Sequence, residues 1–129
     1  MASECFFSTN EFPVTDEDEL DVILSGVWTG DDGEMNKHSR REGRERLFSL
    51  WGEGVIHTVD DDGRERDAVF FLRQLAGIVP LGRPVHLRWI RRDEEWDLSA
   101  GVHTLFNGNI VSSELAKLEE THESVLKAL

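Results

Sequence analysis

Val85-His86-Leu87-Arg88-Trp89-Ile90, followed after a charged break at residues 91–95 by Val102-His103-Thr104-Leu105-Phe106-Asn107-Gly108-Asn109-Ile110-Val111, decides the fold. In the first run Val85, Leu87 and Trp89 alternate with His86, Arg88 and Ile90, the period-two pattern of a half-buried strand. Asn107-Gly108 is a strong hairpin signal, because both central residues of that turn must tolerate φ > 0. A two-residue loop there pairs Phe106 with Asn109, Leu105 with Ile110 and Thr104 with Val111. The region predicts an antiparallel meander, with Trp96-Asp97-Leu98 resuming the chain after the charged turn.

Upstream, Asp67 is placed to cap a helix that carries Ala68, Phe71, Leu72 and Leu75 on one face, with Gly77 closing it in a left-handed conformation. Val55-Ile56-His57-Thr58-Val59 is rich in β-branched residues and predicts a strand. The apolar run Leu47-Phe48-Ser49-Leu50-Trp51 predicts another, joined to it by Gly52-Glu53-Gly54. Asp62-Gly63 suits a tight turn. Residues 34–46 are polar and weakly patterned, which reads as a loop or an exposed helix, and residues 29–43 are expected as a mobile loop. Leu20, Ile23, Leu24 and Val27 recur at helical spacing, giving a helix over residues 16–28 capped by Thr15 with Asp18 three residues on. Cys5-Phe6-Phe7-Ser8 predicts a first short strand. Downstream, Ser112 or Ser113 caps an expected final helix with Leu115, Leu118, His122, Val125 and Leu129 along one seam. That helix either docks on the sheet or mediates dimerisation, leaving monomer and homodimer both open. The expected architecture is a single α+β domain over residues 1–129, with an antiparallel sheet of about five strands and two or three helices. Its core should hold Leu20, Ile23, Leu24, Val55, Phe71, Leu75, Leu87, Trp89, Leu105, Ile110 and Leu118.

With 129 residues, four Trp and seven Phe, the chain has material for one real core. No apolar run approaches the ~20 residues of a membrane span, so no membrane partner is expected. Met1-Ala2-Ser3-Glu4-Cys5 lacks the parts of a signal peptide, and a lone cysteine forms no internal disulfide. The expected compartment is the reducing cytoplasm.

Net charge is −12, and it is unevenly laid out. Residues 1–34 hold ten acids and no Lys or Arg; residues 35–46 are mostly basic. Residues 53–67 are acidic again around Asp60-Asp61-Asp62, and residues 68–92 carry five Arg and no acid. Such blocks either neutralise one another on folding or leave one face strongly negative. A negative face repels nucleic-acid phosphates, so no direct nucleic-acid binding is expected, and it steers a basic partner inward.

Catalytic signatures are missing. The five histidines form no H-x-x-H or H-E-x-x-H pair, and no metal or other cofactor is expected. Asp60-Asp61-Asp62-Gly63 fails the calcium-loop spacing, since Thr58 and Val69 fall where acids are required. There is no phosphate loop and no G-x-S-x-G elbow. Cys5 has no basic neighbour in sequence to activate it.

Phe71-Leu72, Leu87-x-Trp89 and Gly101-Val102-His103-Thr104-Leu105-x-x-Gly108-x-Ile110-Val111 together resemble a pattern in small uncharacterised proteins of phages and their bacterial hosts. Those proteins end in a helix, a Trp-bearing strand, an acidic turn and a hairpin. The resemblance covers about a third of the chain. It implies a phage or mobile-element accessory protein and carries over no catalytic residue.

The functional expectation is a non-enzymatic, acidic protein-binding module. It would act as an inhibitor or immunity-type protein that masks a basic, nucleic-acid-handling partner such as a nuclease, toxin or defence complex. The candidate contacts are Asp16, Glu17, Asp18, Asp21, Asp60, Asp61 and Asp62, with Trp28 as apolar anchor. Two alternatives stand beside it: a small enzyme using His57, His86 or His103 with a carboxylate, and a structural subunit dimerising through the C-terminal helix.

Overall fold

The computed structural model describes residues 4–29, 34–92 and 98–115. They form an α+β structure built on a six-stranded, wholly antiparallel sheet. The strands are β1 (Glu4–Thr9), β2 (Glu34–Glu42), β3 (Glu45–Glu53), β6 (Val85–Arg92), β7 (Leu98–Phe106) and β8 (Asn109–Leu115). Their order across the sheet is β2-β3-β1-β6-β7-β8, which puts β1 in the interior between two hairpin units. A separate two-stranded ribbon pairs β4 (Thr58–Val59) with β5 (Glu65–Arg66). Two helices, α1 (Glu17–Ser25) and α2 (Ala68–Leu75), complete the described elements. No described helix is long and apolar enough to cross a membrane.

Alternation along the strands sorts the side chains onto two faces. Phe7, Phe48, Leu50, Val85, Leu87 and Leu105 point to the face that α1 and α2 cover, and they form one core with Leu20, Ile23, Phe71, Leu72 and Leu75. Phe71, Leu72 and Leu75 are each fully buried. Burial of that size contributes about 2 kcal/mol per side chain, so packing rather than propensity holds the eight-residue helix. Asp67 caps it as expected, accepting from the amides of Val69 and Phe70. The Asn107-Gly108 turn also forms as expected, with φ of 50° and 79° and the register Phe106–Asn109, Leu105–Ile110, Thr104–Val111.

Several expectations change. Residues 34–42 are not a loop but edge strand β2, paired along its whole length with β3 through a two-residue turn at Gly43 (φ 62°). Residues 30–33 lie outside the described residues. An edge strand needs no apolar alternation, since the backbone ladder holds it and charged side chains keep it from pairing with other chains. The helix expected over 16–28 is shorter, and Asp16 rather than Thr15 caps it.

Residues 55–59 do not form one strand. Gly54 turns the chain off the sheet at φ 102°, with its α-carbon so close to Thr29 that a β-carbon would lie 2.0 Å from the Thr29 carbonyl oxygen. Only Thr58 and Val59 then find a strand partner, while Val55, expected in the core, is 47% exposed. Gly77 is not left-handed; α2 closes through Ala76 in a right-handed turn, with the Gly77 and Ile78 amides donating to the Gln74 and Leu75 carbonyls. Trp51, next to buried Leu50, points to the opposite face of β3 and is 52% exposed. Leu24, Trp89 and Ile110 pack against the core while remaining partly open. Ser112 and Ser113 sit inside β8 rather than capping a helix. The remainder of that expected helix, including Leu118, and the dimer seam expected along it lie outside the described residues.

Candidate functional site

The acidic residues fall into two groups. The first lies at the start of α1, where Asp16 spends its carboxylate on the amide of Glu19. Glu17 pairs with Arg46 at 3.3 Å, and Asp21 pairs with Lys37. Nearby, Glu11 is gripped by Arg40, whose hydrogen bond holds the Glu11 carboxyl below the usual carboxylate range. The basic hairpin β2–β3 therefore lies against the acidic helix start and neutralises part of it. Asp18 alone of the candidate acids on α1 makes no side-chain contact among the described residues.

The second group sits beyond the other end of α1. Trp28 forms an isolated bridge with His57: the Trp28 amide donates to the His57 carbonyl and the His57 amide to the Trp28 carbonyl, both at 2.8 Å. The two rings are tilted against each other with centroids 5.3 Å apart. Trp28 is nonetheless 53% exposed. His57 leads directly into β4 and the turn that holds Asp60, Asp61 and Asp62, roughly 10 Å of extended chain away. Asp60 organises that turn. Its carboxylate accepts from the amides of Asp62 and Arg64 and pairs with the Arg66 guanidinium at 2.7 Å. The Arg64 amide, ahead of Arg66, holds the Asp60 carboxyl below its ordinary value. Asp61 and Asp62 are exposed, and their carboxylates have no partner among the described residues. Trp28 thus bridges the residue that leads into the turn of Asp61 and Asp62, whereas Asp16, Glu17, Asp18 and Asp21 lie at or just inside the start of α1, with Asp16 and Asp60 occupied in holding the backbone.

His86 and His103 do not converge. Leu87 pairs with His103 and His86 with Thr104, so His86 and His103 occupy opposite faces of the sheet. His86 Nδ1 lies 2.9 Å from Thr104 Oγ1 on the face opposite the helices. His103 lines a cavity of about 200 Å³ on the helix-covered face. Among the described residues, no three His, Cys, Asp or Glu side chains come together as a metal site.

That cavity was not legible in the sequence. Phe7, Leu87 and Trp89 form its floor on the sheet, Val55 and Ile56 a side wall, and Asp67 and Ala68 its edge at the start of α2. Cys5 and Arg91, direct partners across the β1–β6 ladder, close another side. Burial pushes the Cys5 thiol up, against an opposing pull from Arg91. Burial also pulls the His103 imidazole down, opposed by the charge of Asp67. His103 Nδ1 is engaged with Ser112 Oγ at 2.7 Å. Only the strand register reveals these neighbours, which are separated by most of the chain length.

No protein-family model, curated protein or solved structure matches the chain.

Proposed function

We propose that the chain is a non-enzymatic protein-binding module that engages a basic partner through Trp28 and the acidic turn at Asp61 and Asp62 that follows its bridge partner His57. What supports the reading best is Trp28. A large aromatic side chain stands more than half exposed while its backbone is tied on both sides to His57. An anchor fixed in advance loses little freedom on binding, and tryptophan is the residue type most enriched at binding hot spots. The net charge of −12 adds long-range attraction for a cationic target.

In this reading the module is an inhibitor or immunity-type accessory protein. Asp61 and Asp62 occupy positions on a nucleic-acid-handling partner that otherwise take phosphates, and Trp28 fills an apolar recess beside them. The partner makes the contact in place of nucleic acid, which the anionic surface repels.

The test is capture from host extract on the immobilised protein at rising salt, with retained proteins identified by mass. Retention of basic, nucleic-acid-binding proteins should weaken as salt rises. It should be lost in Trp28→Ala and reduced in the Asp61→Asn, Asp62→Asn double variant. Capture indifferent to salt and to Trp28→Ala refutes the proposal.

A further inference from the structure

We propose that the cavity between the sheet and the start of α2 binds a small, neutral aromatic molecule bearing one hydrogen-bonding group, a molecule of the size of phenol or indole. The proposal is independent of the Trp28 surface, for none of the residues lining the cavity belongs to that surface.

Size sets the first limit. An apolar cavity of about 150 Å³ accommodates benzene. The about 200 Å³ here therefore holds one ring with a substituent, or a fused pair, and is too small for a nucleotide.

Shape and chemistry set the second. The floor presents Phe7 and Trp89, aromatic partners across the β1–β6 ladder, with Leu87 beside them. Trp89 lies directly on Gly101: a β-carbon there would fall 2.5 to 2.7 Å from three atoms of the indole. The glycine lets the ring lie close to the β7 backbone, which leaves the space above it open. Flat aromatic walls favour a flat ligand.

Charge sets the third. Asp67 and Arg91 flank the cavity with opposite signs, so neither an anion nor a cation gains consistently on entering. The polar contact falls to His103. Its Nδ1 is committed to Ser112, and Nε2 makes no hydrogen bond among the described residues. Burial favours the neutral ring, which offers that second nitrogen to a hydroxyl or an N–H group.

Cys5 provides the readout, because it is the only cysteine in the chain and lines the cavity. Its alkylation by iodoacetamide is followed in the intact protein with phenol, indole or benzyl alcohol present, and with benzoate and benzylamine as charged counterparts. Ligands this small are expected to bind with a Kd on the order of 0.1 mM. At ten times that concentration, labelling should slow about tenfold with the neutral compounds.

Val55→Trp, at a half-exposed position on the wall, should fill the space and abolish protection; Ala68→Met serves the same purpose from the helix side. His103→Phe should weaken phenol about tenfold and leave toluene, which has no polar group, unchanged. The proposal is overturned if no neutral compound protects Cys5 or if benzoate or benzylamine protects as well as phenol. It is equally overturned if both wall variants, folded by circular dichroism, retain protection, or if His103→Phe weakens toluene as much as phenol.

Discussion

Replacing Gly101 by alanine drives a methyl group into the indole of Trp89. The new carbon would sit 2.5 Å from Cζ2, 2.6 Å from Cε2 and 2.7 Å from Nε1. Ordinary carbon contacts lie at about 3.5–4.0 Å, so the ring must retreat by about 1 Å. Gly101 is buried in the middle of β7 and paired with Trp89 across the ladder, so the strands cannot simply part. Two effects favour the substitution: alanine relieves about 0.5–1 kcal/mol of glycine's entropy cost in a strand, and the methyl buries some apolar surface. Overpacking of this kind costs about 1–3 kcal/mol, and here rigid indole atoms are struck rather than the end of a flexible chain. The net expectation is a loss of about 1–2 kcal/mol in urea unfolding. Trp89→Leu removes the obstructing atoms, so Gly101→Ala should cost at least about 1 kcal/mol less in that background. Gly101→Ala as stable as wild type, or strict additivity of the two substitutions, would refute the packing described for Trp89.

Other substitutions probe different parts of the molecule. Asp67→Ala should cost about 1 kcal/mol in unfolding free energy by uncapping α2, while Asp67→Asn, which still accepts from the Val69 and Phe70 amides, should cost far less. Arg41 and Arg46 face each other across β2 and β3 as like charges; Arg41→Glu should raise stability by about 0.5 kcal/mol at low salt, a gain that disappears at high salt. His103 has a pKa held below its ordinary value near 6.5. Below that pH the unfolded chain takes up a proton that the fold resists, so this contribution to stability is full above about pH 6.5 and declines as pH falls towards the folded-state pKa. Urea midpoints measured from pH 8 to pH 5 should therefore fall less steeply in His103→Gln than in wild type; equal slopes would contradict the burial of this imidazole. Trp28→Ala should leave the unfolding free energy from urea titration within about 0.5 kcal/mol of wild type, as expected for an exposed side chain outside the core.

What could be read from sequence was local. The Asn107-Gly108 register followed from turn chemistry alone, and the Asp67 cap and α2 face from a cap residue placed before helical spacing. Residues 34–42 escaped because an edge strand carries charge where a central strand carries valine, so hydrophobic period is silent there. The Gly43 turn was the available signal. Residues 55–59 misled for the opposite reason: β-branched composition suits a strand, but the close approach of Gly54 to Thr29 is a tertiary event that steers the chain off the sheet. Trp28 was recognisable as a contact candidate from its place beyond an amphipathic helix. The pairing of Asp21 with Lys37 and of Glu17 with Arg46 depends on which hairpin meets α1, and no spacing encodes it. The cavity was the least legible feature, since Cys5, Asp67, Arg91 and His103 meet only through the order of strands.

That order also bears on how the chain is made. Among the described strands, β1 comes first in the chain, yet it sits between β3 and β6 and joins the hairpin on one side to the meander on the other. As the polypeptide leaves the ribosome, Phe6 and Phe7 emerge well before their partners, and the ladder from Cys5 to Arg91 cannot close until β6 has been translated. Until then each half of the sheet is an unfinished edge. Assembly governed by such distant pairings is slow, and an interrupted or N-terminally clipped product would expose two open strands ready to aggregate.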